Sequence, residues 1–306
     1  MPIHTRVPGP AGPDGADLAT AMDGAPVRDA LLAGLRAELS ELSGRDAPQP
    51  CLAAVVRFGD PDALRQAGYK RKAGLRAGVR VRTVVLPAGG GQAEVEERVA
   101  AVAADPGVHG VLVQLPLEPG LDPWAVMNVL PPPKDIDGLG ERSLGRLLQG
   151  VPGHIPGAAL AVLALLRHYQ VPIQGRHAVV LGGSRLVGLP LALLLARPDA
   201  GARVTVVGPD DPAAAQLSRQ ADILICDGGR PGSVTADLVA PGAAVVDVGL
   251  TRTESGPVGD VDLESVRERA GWVVPNPGGA GPVTVACLLA STVQAARWLG
   301  VLPPSP

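Results

Sequence analysis

Lysine is scarce in this chain, and its few positions stand out as candidates for chemistry. Of the 27 lysine and arginine residues in the 306-residue sequence, only Lys70, Lys72 and Lys134 are lysines. A sequence that uses arginine for almost every cation keeps lysine where arginine cannot replace it, for example where an amine must lose its proton. Each of the three lysines is therefore a candidate for a specific role. A lysine is most often a solvated surface residue, and this is the interpretation that we favour for Lys72.

Three further polar residues are candidates for a site role. Gln114 falls within GVLVQLPL, an apolar run typical of a strand, where an unpaired amide would be costly to bury. This favours a site role for Gln114. Asp135 and Asp137 lie in the Pro/Gly-rich segment PPPKDIDGLG, where each carboxylate could either cap a turn or bind a ligand.

The segment HAVVLGGSRLVGLP predicts a strand, a glycine-rich turn from Gly182 to Gly188 and the start of a helix. Such a turn directs backbone N–H groups and a helix dipole towards a phosphate. Its spacing is G-x-S-x-x-x-G-x-P, so a dinucleotide site and a Rossmann fold without cofactor both remain open. The next predicted strand ends at Gly208 and Asp210, where an acid could bind a ribose hydroxyl and would repel a 2′-phosphate. On charge alone, this half is of NAD type or empty.

The elements that must position these residues alternate between helix and strand. In the first half, strands are predicted at CLAAVVRF, VRVRTVVLPA and GVLVQLPL, with helices at about 63–77, at AEVEERVAAVAAD and at about 122–130. This β-α-β-α-β order predicts a parallel sheet. HAVVLGG, ARVTVVG, ADILICD, AAVVDVG and WVVP predict a second parallel sheet. We therefore expect an α/β protein with two domains, the second of Rossmann type, and a cleft between them.

Composition excludes several classes of protein. The net charge of −3 gives no electrostatic basis for nucleic acid binding, and no run reaches the length of a membrane span. The N-terminus lacks the apolar region of a secretory signal, so we expect a cytoplasmic protein. The three cysteines are widely spaced and predict neither a disulfide framework nor a metal site, but buried apolar positions.

Several segments, in order, resemble the methylenetetrahydrofolate dehydrogenase/methenyltetrahydrofolate cyclohydrolase family. YKRKAGLRAGV is similar to its K-x-K-A helix, GVLVQLPLEPGL to G-I-L-V-Q-L-P-L-P, and PPKDIDG to P-x-K-D-V-D-G. LGGSRLVGLP resembles the G-R-S-x-x-V-G-x-P turn, and VPNPGGAGPVTVACLLASTVQAA resembles V-P-G-G-V-G-P-M-T with the closing helix. The resemblance covers about residues 22–297.

The resemblance implies a bifunctional enzyme that oxidises 5,10-methylenetetrahydrofolate with NADP or NAD and hydrolyses the methenyl product. It places the catalytic lysine at Lys70, its glutamine partner at Gln114 and the pterin-binding aspartate at Asp137. A desolvated lysine can transfer protons, and a carboxylate can accept two hydrogen bonds from an aminopyrimidinone edge.

The resemblance also implies the binding residues and the domain boundaries. The substrate-binding residues would be Gln66, Leu115, Pro116, Gly278, Gly279 and Pro282. The cofactor-binding residues would be Gly182, Gly183, Ser184, Val187, Gly188, Gly208, Asp210, Gly228 and Thr251. A flexible tail would span residues 1–21, the folate-binding domain 22–150 with helix 283–300, and the nucleotide-binding domain 151–282. The protein would be a homodimer that binds a small-molecule substrate. No metal, nucleic acid or membrane would be bound.

Some positions depart from the family pattern. Gln66 replaces the tyrosine on which the folate ring stacks, Gly183 replaces the arginine that binds the NADP 2′-phosphate, and Gly208 and Pro209 replace a His-Ser pair. These changes place NADP in question and favour NAD or no nucleotide. They also leave an alternative open: a repurposed paralogue that is cyclohydrolase-only or acts on another small molecule in a dedicated pathway. A non-catalytic binding protein is the third hypothesis.

Overall fold

The computed structural model describes residues 18–43, 48–253 and 256–304. Most of the predicted tail, residues 1–17, lies outside these ranges. No helix in the described ranges is long and apolar enough to cross a bilayer.

Helices and strands alternate along most of the chain. Its strands are β1 (Thr20–Ala21), β2 (Cys51–Val56), β3 (Arg80–Val85), β4 (Gly110–Val113), β5 (His177–Gly182), β6 (Arg203–Val207), β7 (Ile223–Asp227), β8 (Ala244–Asp247), β9 (Thr251–Thr253), β10 (Gly256–Val258) and β11 (Trp272–Val274). Its α-helices are α1 (Gly24–Ser43), α2 (Pro61–Ala77), α3 (Gln92–Ala104), α4 (Pro123–Asn128), α5 (Glu141–Gln149), α6 (Gly157–His168), α7 (Gly188–Ala196), α8 (Ala214–Ser218), α9 (Leu263–Arg267) and α10 (Ala280–Trp298).

The chain divides into two compact units. Of the described residues, those within Ala30–Gly157 and Val285–Pro306 form the first unit, and those within Met1–Asp29 and Ala158–Thr284 form the second. The boundary near Gly157 lies a few residues after the predicted domain boundary at 150. Residues 22–29, predicted with the folate-binding domain, group instead with the second unit.

The first unit contains a three-stranded parallel sheet in the order β3-β2-β4. The central strand β2 is buried along its whole length, which explains its uninterrupted apolar sequence, CLAAVV. Helices α2 and α3 connect the strands, as parallel pairing requires. The free Cys51 and Cys287 are buried in this unit, as predicted.

The second unit contains a six-stranded parallel sheet in the order β1-β11-β8-β7-β5-β6. Strand β5 has β6 on one side and β7 on the other, so the strand order reverses between β5 and β7. In open α/β sheets, ligands bind beyond the carboxyl ends of the strands at this reversal. The predicted α/β class with a Rossmann-type second half is confirmed.

Several local elements differ from the sequence-based predictions. Thr20–Ala21, placed within the flexible tail, form β1 and pair with β11 at the edge of the sheet. We predict no element over residues 141–149, yet α5 forms there, and the hairpin β9–β10 was not predicted either. All of these elements are short, and a helix or strand of this length depends on packing for its stability.

Candidate active site

Lys70 lies on the buried face of α2. The Asp60 carboxylate caps this helix by accepting hydrogen bonds from the N–H groups of Asp62 and Ala63, and Gly78 ends it in the left-handed region at φ 83°. The other buried residues of α2 are small, namely Ala63, Ala67, Ala73, Gly74 and Ala77. The lysine is therefore the one charged side chain on an otherwise apolar helix face.

The carboxyl end of β4 supplies the partner of this lysine. Gln114 directly follows β4, and its N–H donates to the carbonyl of Val55 at 2.8 Å, which extends the sheet pairing by one residue. The Lys70 Nζ donates to Oε1 of Gln114 at 2.9 Å. The structure thus brings together the two residues that the sequence singled out for unusual placement.

Burial changes the protonation of the lysine. Lys70 is only 5% exposed. Burial lowers the pKa of the Lys70 amine to about 8, and the charge of Asp137 opposes part of this shift. A larger fraction of the amine is therefore neutral at physiological pH than in an exposed lysine.

Asp137 is held in the loop that follows α4. The same loop is anchored by Lys134, whose Nζ donates to the carbonyls of Ala103 and Asp105, and by Asp135, which accepts from the N–H of Gly140 at 2.9 Å. Oδ1 of Asp137 accepts from the N–H of Gly157 at 3.0 Å. Burial raises the pKa of Asp137 to about 6, although the hydrogen bond from Gly157 and the charge of Lys70 lower it.

The remaining predicted substrate-binding residues of the first unit flank this pair. Gln66 lies half-buried on α2, one turn before Lys70, while Tyr69 is exposed on another face. Leu115 is half-buried, and the peptide bond between Leu115 and Pro116 is cis. Lys72 is exposed, in agreement with its interpretation as a surface residue.

Gly278, Gly279 and Pro282 belong to the second unit. The carbonyl of Gly278 accepts from the N–H of Gly24 at 3.0 Å, and the N–H of Gly279 donates to the carbonyl of Pro275 at 2.8 Å. A β-carbon at Gly24 would collide with the backbone of Gly279. These glycines therefore allow two backbone segments to approach closely.

The predicted cofactor-binding turn connects β5 to α7. Gly182 and Gly183 adopt φ angles of 125° and 155°, which L side chains rarely adopt. The hydroxyl of Ser184 accepts from the N–H of Val187 at 3.1 Å. A β-carbon at Gly183 would lie 3.5 Å from Val206 and 3.8 Å from Leu189, both partly exposed, so the surface at this position is apolar.

The loops after β6 and β7 contain the other predicted cofactor-binding residues. Asp210 forms an ion pair with Arg230, so its charge is balanced within the chain. The N–H of Gly228 donates to Asp260 at 2.8 Å, and the hydroxyl of Thr251 donates to the carbonyl of Gly229 at 3.2 Å. Gly208 precedes the turn in which the N–H of Asp211 donates to its carbonyl.

The sequence analysis did not single out one residue whose side chain binds the turn. Asp227, the last residue of β7, accepts hydrogen bonds from the N–H groups of Ser184 and Gly188. A carboxylate that ends the apolar strand ILIC was a signal in the sequence. Its partners depend on the pairing of β7 with β5, which the local pattern does not contain.

Known family models match both halves of the chain. The tetrahydrofolate dehydrogenase/cyclohydrolase catalytic-domain model matches residues 22–137, and the NAD(P)-binding-domain model of the same family matches residues 156–299. The chain belongs to the tetrahydrofolate dehydrogenase/cyclohydrolase family. The resemblance inferred from the motifs is thereby confirmed.

Other members of the tetrahydrofolate dehydrogenase/cyclohydrolase family match nearly the whole chain. The bifunctional protein FolD of Gluconacetobacter diazotrophicus is 42% identical over 304 residues, which cover 97% of each chain. The bifunctional FolD methylenetetrahydrofolate dehydrogenase/cyclohydrolase of Campylobacter jejuni is 33% identical, with a TM-score of 0.86 over 92% of this chain and 99% of its own. The Trypanosoma brucei dehydrogenase-cyclohydrolase, solved with NADP and an inhibitor, is 35% identical with a TM-score of 0.86 over 93% and 99%.

Proposed function

We propose that this chain oxidises 5,10-methylenetetrahydrofolate to 5,10-methenyltetrahydrofolate and hydrolyses the latter to 10-formyltetrahydrofolate. Family membership supports both reactions. The observation that carries the assignment to particular residues is the buried amine of Lys70, hydrogen-bonded to Gln114 and electrostatically coupled to Asp137. Perturbed protonation in such a cluster is typical of catalytic groups.

In the hydrolysis, the neutral amine of Lys70 accepts a proton from the water that attacks the methenyl carbon. The amine then returns the proton to N5 of the pterin as the bond between N5 and this carbon breaks. The remaining hydroxyl proton is released to solvent as the C=O bond forms, which leaves the formyl group on N10. Gln114 orients the amine, because its Oε1 holds one of the N–H groups. Asp137 binds the aminopyrimidinone edge of the pterin as an acceptor of two hydrogen bonds. Gln66, Leu115 and Pro116 line the same binding region in this proposal.

In the oxidation, a nicotinamide cofactor held by the predicted residues of the second unit would supply the acceptor for the hydride that leaves the methylene carbon. The second unit is an NAD(P)-binding domain. We assign residues 151–282 to nucleotide binding, and residues 22–150 with helix 283–300 to folate binding, although residues 22–29 group with the second unit. Gly278, Gly279 and Pro282 lie within 151–282 but are assigned to substrate binding. The predicted tail stays a prediction for residues 1–17.

Between the two nicotinamide cofactors, we favour NAD. Gly183 and the apolar side chains beside it, Val206 and Leu189, fit the adenosine of either dinucleotide but provide no cation for a 2′-phosphate. The pairing of Arg230 with Asp210 further reduces the positive charge available in the neighbouring loops. Two finer features also belong to the proposal: a homodimer, which rests on the family resemblance alone, and a cytoplasmic location, which is an expectation from the sequence. Light scattering of the purified protein tests the former.

Two optical assays with a matched pair of variants test the proposed reactions. Methenyl formation is followed with 5,10-methylenetetrahydrofolate and either NAD⁺ or NADP⁺, and hydrolysis is followed as decay of supplied methenyltetrahydrofolate. We expect Lys70→Ala to lower the rate of hydrolysis by about 100-fold or more, the usual size of a lost proton-transfer group. Lys72→Ala, two residues away and exposed, retains both rates.

Unchanged turnover in Lys70→Ala would contradict the role of the lysine. Absence of both activities in the folded wild-type protein would contradict the proposed function itself.

A further inference from the structure

Asp227 occupies the position at which the strand order of the second unit reverses. It ends β7 directly opposite Gly182, the last residue of β5, in the sheet register. Glycine-rich turns at this place in doubly wound sheets receive the phosphates of a dinucleotide. The side chain of a strand residue is thus located where a ligand anion is normally bound.

The carboxylate uses the donors that the turn would offer to a phosphate. Its Oδ2 accepts from the N–H of Ser184 at 2.8 Å and from the N–H of Gly188, the first residue of α7, at 3.0 Å. The neighbouring donors also have acceptors within the chain: the N–H of Val187 is bound by the Ser184 hydroxyl, and the N–H of Leu189 by the Ser184 carbonyl. Pro190 has no N–H.

The glycines of the turn accommodate Asp227. A β-carbon at Gly188 would lie 2.4 Å from Oδ2 of Asp227, and one at Gly182 would lie 2.2 Å from its carbonyl oxygen. In a phosphate-binding turn, glycine lets the backbone approach the ligand. Here the space that glycine leaves free is already filled by Asp227.

The electrostatic environment is consistent with a carboxylate anion at Asp227. The positive end of α7 favours negative charge at its N-terminus. Burial raises the pKa of Asp227, while the hydrogen bonds from Ser184 and Gly188 lower it and the charge of Asp260 raises it. The neighbouring carboxylates Asp247 and Asp260 each bind separate backbone N–H groups, so the turn donors belong to Asp227.

We propose that Asp227 is a resident anion that fills the phosphate position of the turn and thereby sets the affinity of this unit for dinucleotides. The inference deepens the proposed function, since it concerns the cofactor site of that enzyme. A dinucleotide must either displace the carboxylate or place its phosphates away from α7. Asp227 is therefore a specificity-determining residue that weakens binding of both NAD⁺ and NADP⁺.

Isothermal titration of NAD⁺ and NADP⁺ into purified variants tests this role without relying on turnover. Asp227→Ala frees the two N–H groups, and we expect Kd for both nucleotides to fall by about tenfold, equivalent to about 1.4 kcal/mol. Asp227→Asn keeps the size and one acceptor but removes the charge, so Kd falls less. The matched control is Asp222→Asn: Asp222 also accepts from a backbone N–H, that of His177, but just before β7 begins, and its loss leaves Kd unchanged.

An unchanged or higher Kd in both Asp227 variants, with circular dichroism like that of the wild type, would overturn the proposal and reduce Asp227 to a structural cap. If Asp227→Ala fails to fold, Asp227→Asn decides by the same criterion. The proposal would also be overturned if none of the variants bound NAD⁺ or NADP⁺ at all. Tighter binding in the variants of a protein that turns over no folate would instead uphold the role of Asp227 and contradict the proposed function.

Discussion

The two units hold a charged side chain in opposite ways. In the first unit, the cation of Lys70 is placed on an apolar helix face with one amide oxygen as its hydrogen-bond partner, and burial lowers its pKa to about 8. In the second unit, the carboxylate of Asp227 receives two backbone N–H groups at the positive end of a helix. The comparison shows a buried amine with one hydrogen-bond partner and, in contrast, a partly buried carboxylate that is well hydrogen-bonded.

The largest expected effect is on the pH dependence of hydrolysis. If neutral Lys70 is the proton acceptor, kcat should fall below about pH 8, and at pH 6 about 1% of the amine remains neutral, which lowers the rate about 100-fold. Because the pKa of Asp137 is about 6, KM for folate should rise only below that pH, as the carboxylate loses its acceptor capacity. Initial rates measured across this pH range and corrected for uncatalysed hydrolysis give both the fall of kcat and the rise of KM.

Two substitutions of Gln114 sharpen this prediction. Gln114→Glu places a carboxylate beside the amine, which favours the ammonium form and moves the kcat limb to higher pH. Gln114→Met removes the acceptor and moves the limb to lower pH. Shifts in the same direction, or none, would show that Lys70 does not produce the limb.

A cation beside Gly183 should change cofactor preference by an intermediate amount. Arginine at position 183 itself would be strained at φ 155°, but Val206, a partly exposed residue of β6, lies next to it. We expect Val206→Arg to lower Kd for NADP⁺ by about tenfold and to leave Kd for NAD⁺ unchanged, because a guanidinium binds the 2′-phosphate. Val206→Gln is the control, and an equal gain for NAD⁺ would argue against 2′-phosphate recognition.

The smallest expected effect is on stability. The folded-state pKa of Lys70 is about 8 against 10.5 for the free side chain, so between these pH values the unfolded chain holds a proton that the folded chain has lost. Wild-type stability therefore rises with pH through this window. At pH 7, Lys70→Met should be more stable by about 1–2 kcal/mol, after allowing for the lost hydrogen bond to Gln114.

Thermal melts at several pH values measure this difference. The advantage of Lys70→Met should shrink as the pH rises from about 8 towards 10.5. Lys72→Met, at an exposed position, should show no such trend. A methionine variant that is less stable at every pH would mean that the amine costs the fold nothing.

The sequence was sufficient for features that a local pattern determines. The apolar runs of β2, β5 and β7 predicted buried parallel strands, and the isolated Gln114 in such a run indicated a polar partner, which proved to be Lys70. Asp227 and the pairing of Asp210 with Arg230 could not be predicted, because both contacts join segments 20 or more residues apart whose neighbourhood depends on strand order. Helix α5 was missed because it is short and follows a loop rich in proline and glycine.

The close contact between Gly188 and Asp227 also constrains how this turn can change during evolution. A side chain at position 188 collides with the carboxylate, so its gain must follow the loss of Asp227. In the proposed role of Asp227, freeing the N–H groups of Ser184 and Gly188 for a phosphate requires the same first step. The two positions are therefore expected to change in a fixed order: a substitution of Asp227 comes first, and a substitution of Gly188 can follow it.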